Sequence, residues 1–154
     1  MLLTFDVLAP FYSFVYTARM TQRTFPWFLA VALFIIAGID CVANYYSWYW
    51  IIRWFDMPMH FAGGAWVAGV TIWWKFFSGK QEAPSPVPTL NRLMVWGIGG
   101  AFMIGLGWEI YESVVSLITQ GHINDIQDTI SDLFLDMAGG TLTAVIYNLK
   151  KRHA

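Results

Sequence analysis

Four runs of mostly apolar residues, 26–47, 57–77, 93–118 and 130–149, constrain this 154-residue chain more than any other feature of it. An α-helix needs about 20 such residues to cross the hydrocarbon core of a bilayer. In that medium the backbone must satisfy its own hydrogen bonds. The expected fold is therefore all-α, a polytopic membrane bundle of four transmembrane helices. Composition agrees, because charged residues make up 12% of the chain against about 25% in an average soluble domain. The formal net charge of −1 offers no basic excess to a phosphate backbone, which excludes a nucleic-acid partner. One cysteine, Cys41, excludes a disulfide framework and a Cys-rich zinc site.

The breaks between the runs are legible from their chemistry. Glu82-Ala83-Pro84-Ser85-Pro86-Val87-Pro88 is a loop by composition. Gln120-Gly121-His122-Ile123-Asn124-Asp125 is a polar turn. Trp48-Tyr49-Trp50 through Trp54 reads as an aromatic belt at the membrane–water interface. Three regions result: an N-terminal interfacial or re-entrant segment at 1–25, the four-helix transmembrane domain at 26–149, and a basic tail at 150–154. The first region is apolar but holds Asp6 and Pro10, and it lacks the basic start and small-residue cleavage site of a signal peptide.

Charge placement orients the bundle. Arg19, Arg23, Lys75, Lys80, Arg92, Lys150, Lys151 and Arg152, eight of the nine basic residues, fall on one side, and Arg53 falls on the other. Basic residues favour the cytoplasmic face, so both termini and the Pro-rich loop are expected in the cytoplasm. Asp40, Asp56, Glu109, Glu112, Asp125, Asp128, Asp132 and Asp136, eight of the ten carboxylates, fall in the outer half.

Helical spacing gathers the acids onto shared faces. Asp56 and His60 are four apart, Glu109 and Glu112 three apart, and Asp128, Asp132 and Asp136 repeat every four residues. The same stripes continue into small residues: Gly64 and Ala68; Gly105, Ala101 and Gly97; Gly140 and Ala144. Small residues four apart let membrane helices approach closely. The packing face and the charged face are thus one face, and the ionisable groups point into the bundle. Asp56, ahead of Met57-Pro58, also fits a helix N-cap. Asp40, one turn before Asn44, either joins the cluster or pairs locally.

A charged group within a bilayer costs roughly 2.5–3.5 kcal/mol even on the lenient insertion scale. Asp132 and Asp136, like charges four apart, also repel. Protonation, Arg53 or a bound cation must offset this. A divalent cation is the economical answer: carboxylates with one imidazole suit Mg²⁺, Mn²⁺, Ca²⁺ or Fe²⁺, with Zn²⁺ also compatible. The candidate ligands are Asp56, His60, Glu109, Glu112, Asp128, Asp132 and Asp136. Glu109-Ile-Tyr-Glu112 lacks the Glu-x-x-His pairing of di-iron bundles.

Three segments also carry a family resemblance. Asp56-Met-Pro-Met-His60-Phe-Ala-Gly-Gly64, Trp108-Glu109-Ile-Tyr-Glu112 and Asp128-Thr-Ile-Ser-Asp132-Leu-Phe-Leu-Asp136-Met-Ala-Gly-Gly140 resemble the YjdF-like small bacterial membrane proteins. More distantly they are similar to the VanZ-like proteins, one of which is associated with teicoplanin resistance. The resemblance covers roughly residues 50–145. It implies a bacterial inner-membrane protein and a site drawn from those same acids and His60. VanZ-like chains often carry Gln beside the glutamate and Arg before the Asp-rich helix. Neither is present here, which places the resemblance on the YjdF-like side.

Two functional classes stay open. One is a metal-dependent hydrolase or transferase acting on a membrane lipid or lipid-linked envelope precursor, with His60, Glu109 and Asp132 as catalytic residues. The other is a proton or cation relay used in transport or sensing. Below Glu109 and Asp136 the stripes turn to Gly and Ala, with no inner ionisable relay, which favours a one-sided site.

Overall fold

A computed structural model describes residues 24–78, 88–119 and 126–152. The expected interfacial segment, apart from residues 24 and 25, lies outside the described residues, as do most of the Pro-rich loop, Asp125 and the end of the basic tail. All the described secondary structure is helical. Helix α1 spans Trp27–Tyr45, α2 is the single turn Trp48–Ile51, α3 spans Asp56–Phe77, α4 spans Leu90–Thr119 and α5 spans Ile126–Arg152.

Three of these, α1, α4 and α5, are long and apolar enough to cross a membrane. The second expected span, α3, is not among them. Its 22 residues reach about 33 Å, so length is not the reason. It opens on Asp56, carries His60 and Lys75, and devotes much of its middle to glycine and alanine, which lowers its hydropathy. It is also the most enclosed helix, packing on α5, α4 and α1. A helix covered by neighbours does not need an apolar surface all round.

Helices α3, α4 and α5 pack against one another, and α1 leans on α3. Lipid is as apolar as leucine, so the driving force is close packing of small residues rather than expulsion of apolar surface from water. The buried residues of α4 are Leu93, Gly97, Ala101, Gly105 and Glu109, strictly four apart. In α3 they are His60, Gly64, Ala68, Gly69 and Ile72. In α5 they are Asp132, Asp136, Gly139, Gly140 and Ala144. The crossing of α3 and α5 depends on two glycines facing opposite ways. A methyl group on Gly64 would occupy the backbone of Asp136, and one on Gly139 would occupy the backbone of Phe61 and Ala65. Beside this contact the Thr143 hydroxyl donates to the Ala65 carbonyl at 3.0 Å. Helix α1 is held by the Trp66 indole N–H, which donates to the Leu29 carbonyl at 2.7 Å.

The bundle is graded along its length. One end holds an apolar cluster of Ile72, Leu93 and Ala144, flanked by Phe76, Phe77, Met94 and Tyr147. There Lys75 lies 4.5 Å from the centre of the Trp96 ring, and the Arg92 guanidinium 5.4 Å from that of Phe76. The glycine and alanine layer follows. The other end carries the buried ionisable groups, His60, Glu109, Asp132 and Asp136.

The 45–56 connection closes that end as a packed aromatic turn. Ser47 takes the left-handed conformation, with φ 57°, that reverses the chain between α1 and α2. Phe55 receives Trp48 and Tyr49 edge-on, with ring centres 5.4 and 5.3 Å away. The Tyr49 hydroxyl donates to Asp40 Oδ1 at 2.7 Å, and the Asn44 amide donates to the same oxygen at 3.1 Å. Burial first, then the Asp40 hydrogen bond, pushes the Tyr49 phenol well above its ordinary range, so it stays a proton donor. Asp40 therefore pairs with the turn and with Asn44 rather than with the buried cluster.

Candidate functional site

The described residues contain four buried ionisable side chains: His60, Glu109, Asp132 and Asp136, between 2% and 7% exposed. Three helices deliver them, each on the stripe that packs. His60 lies one turn into α3, Glu109 lies two-thirds of the way along α4, and Asp132 and Asp136 lie in the second and third turns of α5. Because α4 runs antiparallel to α3 and α5, the three depths coincide.

His60 is the hub. Its Nε2 lies 3.6 Å from Asp56 Oδ1, 3.9 Å from Glu109 Oε1 and 4.0 Å from Asp132 Oδ2. Its Nδ1 lies 3.4 Å from Asp136 Oδ2. One nitrogen thus faces three carboxylates, and the other faces a single carboxylate. Donor atoms of Asp56, His60 and Asp132 all lie within 4.8 Å of one another, an arrangement able to hold a metal ion. Among the described residues, no Lys or Arg forms an ion pair with them. Arg53 is exposed, and among the described residues no carboxylate lies within ion-pair distance of it.

Glu109 is held and open at once. Its Oε2 accepts a hydrogen bond from the Thr129 hydroxyl at 2.8 Å. Its Oε1 is buried without a hydrogen-bond partner. A buried acceptor left unpaired costs about 1–3 kcal/mol, and more when charged. Such an atom, 3.9 Å from His60 Nε2, is what a cation or a proton would relieve.

The remaining candidates stand around this centre. Asp56 is half-buried and occupies the first helical position of α3, after Phe55 at the cap, and no side chain caps the helix. The N-cap expectation is thus corrected: the Asp56 carboxylate turns along the helix toward His60, where i and i+4 side chains meet. Asp128 is exposed in the first turn of α5 and does not reach the buried group. Glu112 is half-buried and accepts the Trp108 indole N–H at 2.7 Å, on the rim.

Thr129 was not among the sequence candidates. It lies three residues before Asp132 and seven before Asp136, so the period that gathers the aspartates places it on their face too. The signal was present, but a threonine in a membrane helix reads as a packing residue until its partner is known.

Comparison with curated proteins and with solved structures gives no significant match. A family profile described as "Predicted membrane protein (DUF2238)" matches residues 3–153, nearly the whole chain. That match agrees with the apolar helices and assigns no activity. The chain belongs to this family of predicted membrane proteins, DUF2238.

Proposed function

We propose that the chain is a metal-dependent hydrolase or transferase of the inner membrane, acting on a lipid or lipid-linked substrate near the extracytoplasmic face. In this reading α3 is the fourth span, both termini are cytoplasmic, and the chain stands with the YjdF-like proteins rather than the VanZ-like ones. The orientation is supported by Lys75, Arg92 and Lys150, which gather at the end away from the carboxylates, as cytoplasmic positive charge requires.

The observation that carries the reading is the three-donor group Asp56, His60 and Asp132, with the unpartnered Glu109 Oε1 3.9 Å from His60 Nε2. Three protein ligands and one open position is the arrangement of catalytic rather than structural metal sites. Asp56, His60 and Asp132 would hold a divalent cation, which would offset the carboxylate repulsion and supply Lewis-acid activation of water and of a phosphoryl or acyl oxygen. Glu109, steadied by Thr129, takes the proton of the attacking water and returns it to the leaving oxygen. A lipid-borne substrate is supported by an adjoining depression of about 440 Å³, lined by Met57, Ile130, Phe134 and Leu135 with Gln127 and Ser131. Two of its lining residues, Met57 and Ser131, are the sequence neighbours of Asp56 and Asp132.

The test is turnover in phospholipid vesicles reconstituted with the purified protein, read by mass spectrometry of the lipids. The expected result is headgroup or acyl release that needs a divalent cation and stops with chelator. Glu109→Gln should reduce it by about 10²–10⁴-fold. Absence of any lipid product, together with cation or proton flux across the vesicle wall, would replace the enzyme with the relay.

A further inference from the structure

Asp136 stands apart from the other carboxylates. It is the one that faces His60 Nδ1, at 3.4 Å, while Asp56, Glu109 and Asp132 all face Nε2. It is 5% exposed, and two neighbouring helices carry glycine where they meet it. A methyl group on Gly105 of α4 would fall on Asp136 Oδ2, and one on Gly64 of α3 would fall on its backbone. The packing of three helices therefore fixes where this carboxylate can be, and the place is beside Nδ1.

The chemistry of the ring gives that place a meaning. A neutral imidazole has one N–H and one lone pair, and the hydrogen bond made by one nitrogen sets the role of the other. A proton on Nδ1 is drawn to Asp136, which leaves the Nε2 lone pair directed at Asp56, Asp132 and Glu109. With nothing between them, that lone pair would face three carboxylates. With a cation there, it becomes a ligand beside two oxygens. Metal-bound histidines almost always donate their second N–H to a carboxylate or carbonyl, which fixes the tautomer and raises ligand basicity. A nitrogen among the donors also favours borderline cations such as Mn²⁺, Fe²⁺ or Zn²⁺ over Mg²⁺ and Ca²⁺.

Resting on the metal reading above, we infer that Asp136 is a positioning residue: it holds His60 in the Nδ1–H tautomer so that Nε2 binds the cation with Asp56 and Asp132. It does not bind the cation itself, which distinguishes it from Asp132 one turn earlier on the same helix.

Two probes test this on the full-length protein in detergent. Mn²⁺ titration gives affinity and stoichiometry. Pulsed electron paramagnetic resonance with Cu²⁺ reads the remote, non-coordinating imidazole nitrogen, whose quadrupole coupling reports its hydrogen bond. The wild type should show that remote nitrogen, and His60→Ala should lose it. Asp136→Asn, which keeps the shape of the side chain, should retain the His60 signal, change its coupling and weaken Mn²⁺ by about 10–100-fold. Gly105→Ala, which displaces the Asp136 carboxylate without removing it, should move the same coupling. An unchanged coupling in both variants would overturn the role given to Asp136 while leaving the metal site standing. Mn²⁺ bound with no remote nitrogen in the wild type would also overturn it, because the cation would then rest on carboxylates alone. Failure of the wild type to bind either ion would instead remove the metal reading beneath it.

Discussion

His60 and Glu109 answer different questions, and substitutions should separate them. Asp132→Asn would remove one of the three proposed cation ligands and one repelling charge, so it should abolish metal-induced stabilisation while leaving metal-free melting unchanged or raised. Glu109→Gln leaves the Asp56, His60 and Asp132 donors in place. It should keep that stabilisation and lose turnover, as thermal melting and lipid mass spectrometry on the same preparations would show. Thr129→Val should lower turnover with a smaller effect on metal affinity, because it frees Glu109 Oε2 without touching a ligand. The four buried ionisable groups were readable from the sequence, because a charge on the same helical stripe as glycines has nowhere to point but inward. Asp56 was legible as a member but not in its role: an aspartate before Met57-Pro58 looks the same from sequence whether its carboxylate caps the helix or reaches His60. Asp40 could be settled only by Tyr49, nine residues on and across a left-handed turn.

Among helices, the decisive quantity is how near two backbones come. Gly64→Ala and Gly139→Ala each place a methyl group inside the facing backbone, and overpacking of this kind typically costs about 1–3 kcal/mol. Gly38→Ala and Gly99→Ala meet nothing within 4 Å and should be neutral or stabilising by about 0.5–1 kcal/mol through helix propensity. Melting curves of the four variants in one detergent check the contrast, and equal losses from all four would refute the packing account. The sequence stripes selected Gly64 over its neighbour Gly63, which meets nothing, because helical period alone selects the face. They did not include Gly139, whose contact with Phe61 and Ala65 depends on where α3 crosses, a tertiary fact. The same limit explains α3. Its charges and glycines make it look less like a span by hydropathy, although it is the helix the others enclose.

Across the described residues, Lys75, Arg92 and the apolar cluster lie at one end of the bundle, and the buried carboxylates with His60 lie at the other. The proposed topology predicts that reporters fused after Ala154 and within the 84–88 loop both report the cytoplasm, and an extracytoplasmic signal from either would reverse it. The central claim is that the carboxylate end is a cation site, and stability reads it most directly. A ligand that binds only the folded state stabilises by about 2.7 kcal/mol at one hundred times its dissociation constant. The decisive measurement is thermal melting of the purified protein with Mn²⁺, Zn²⁺ or chelator, run beside Asp132→Asn. The account predicts that one of these cations raises the melting temperature of the wild type, that chelator reverses the rise, and that Asp132→Asn shows no response. A wild type that melts at the same temperature with either cation and with chelator would contradict it.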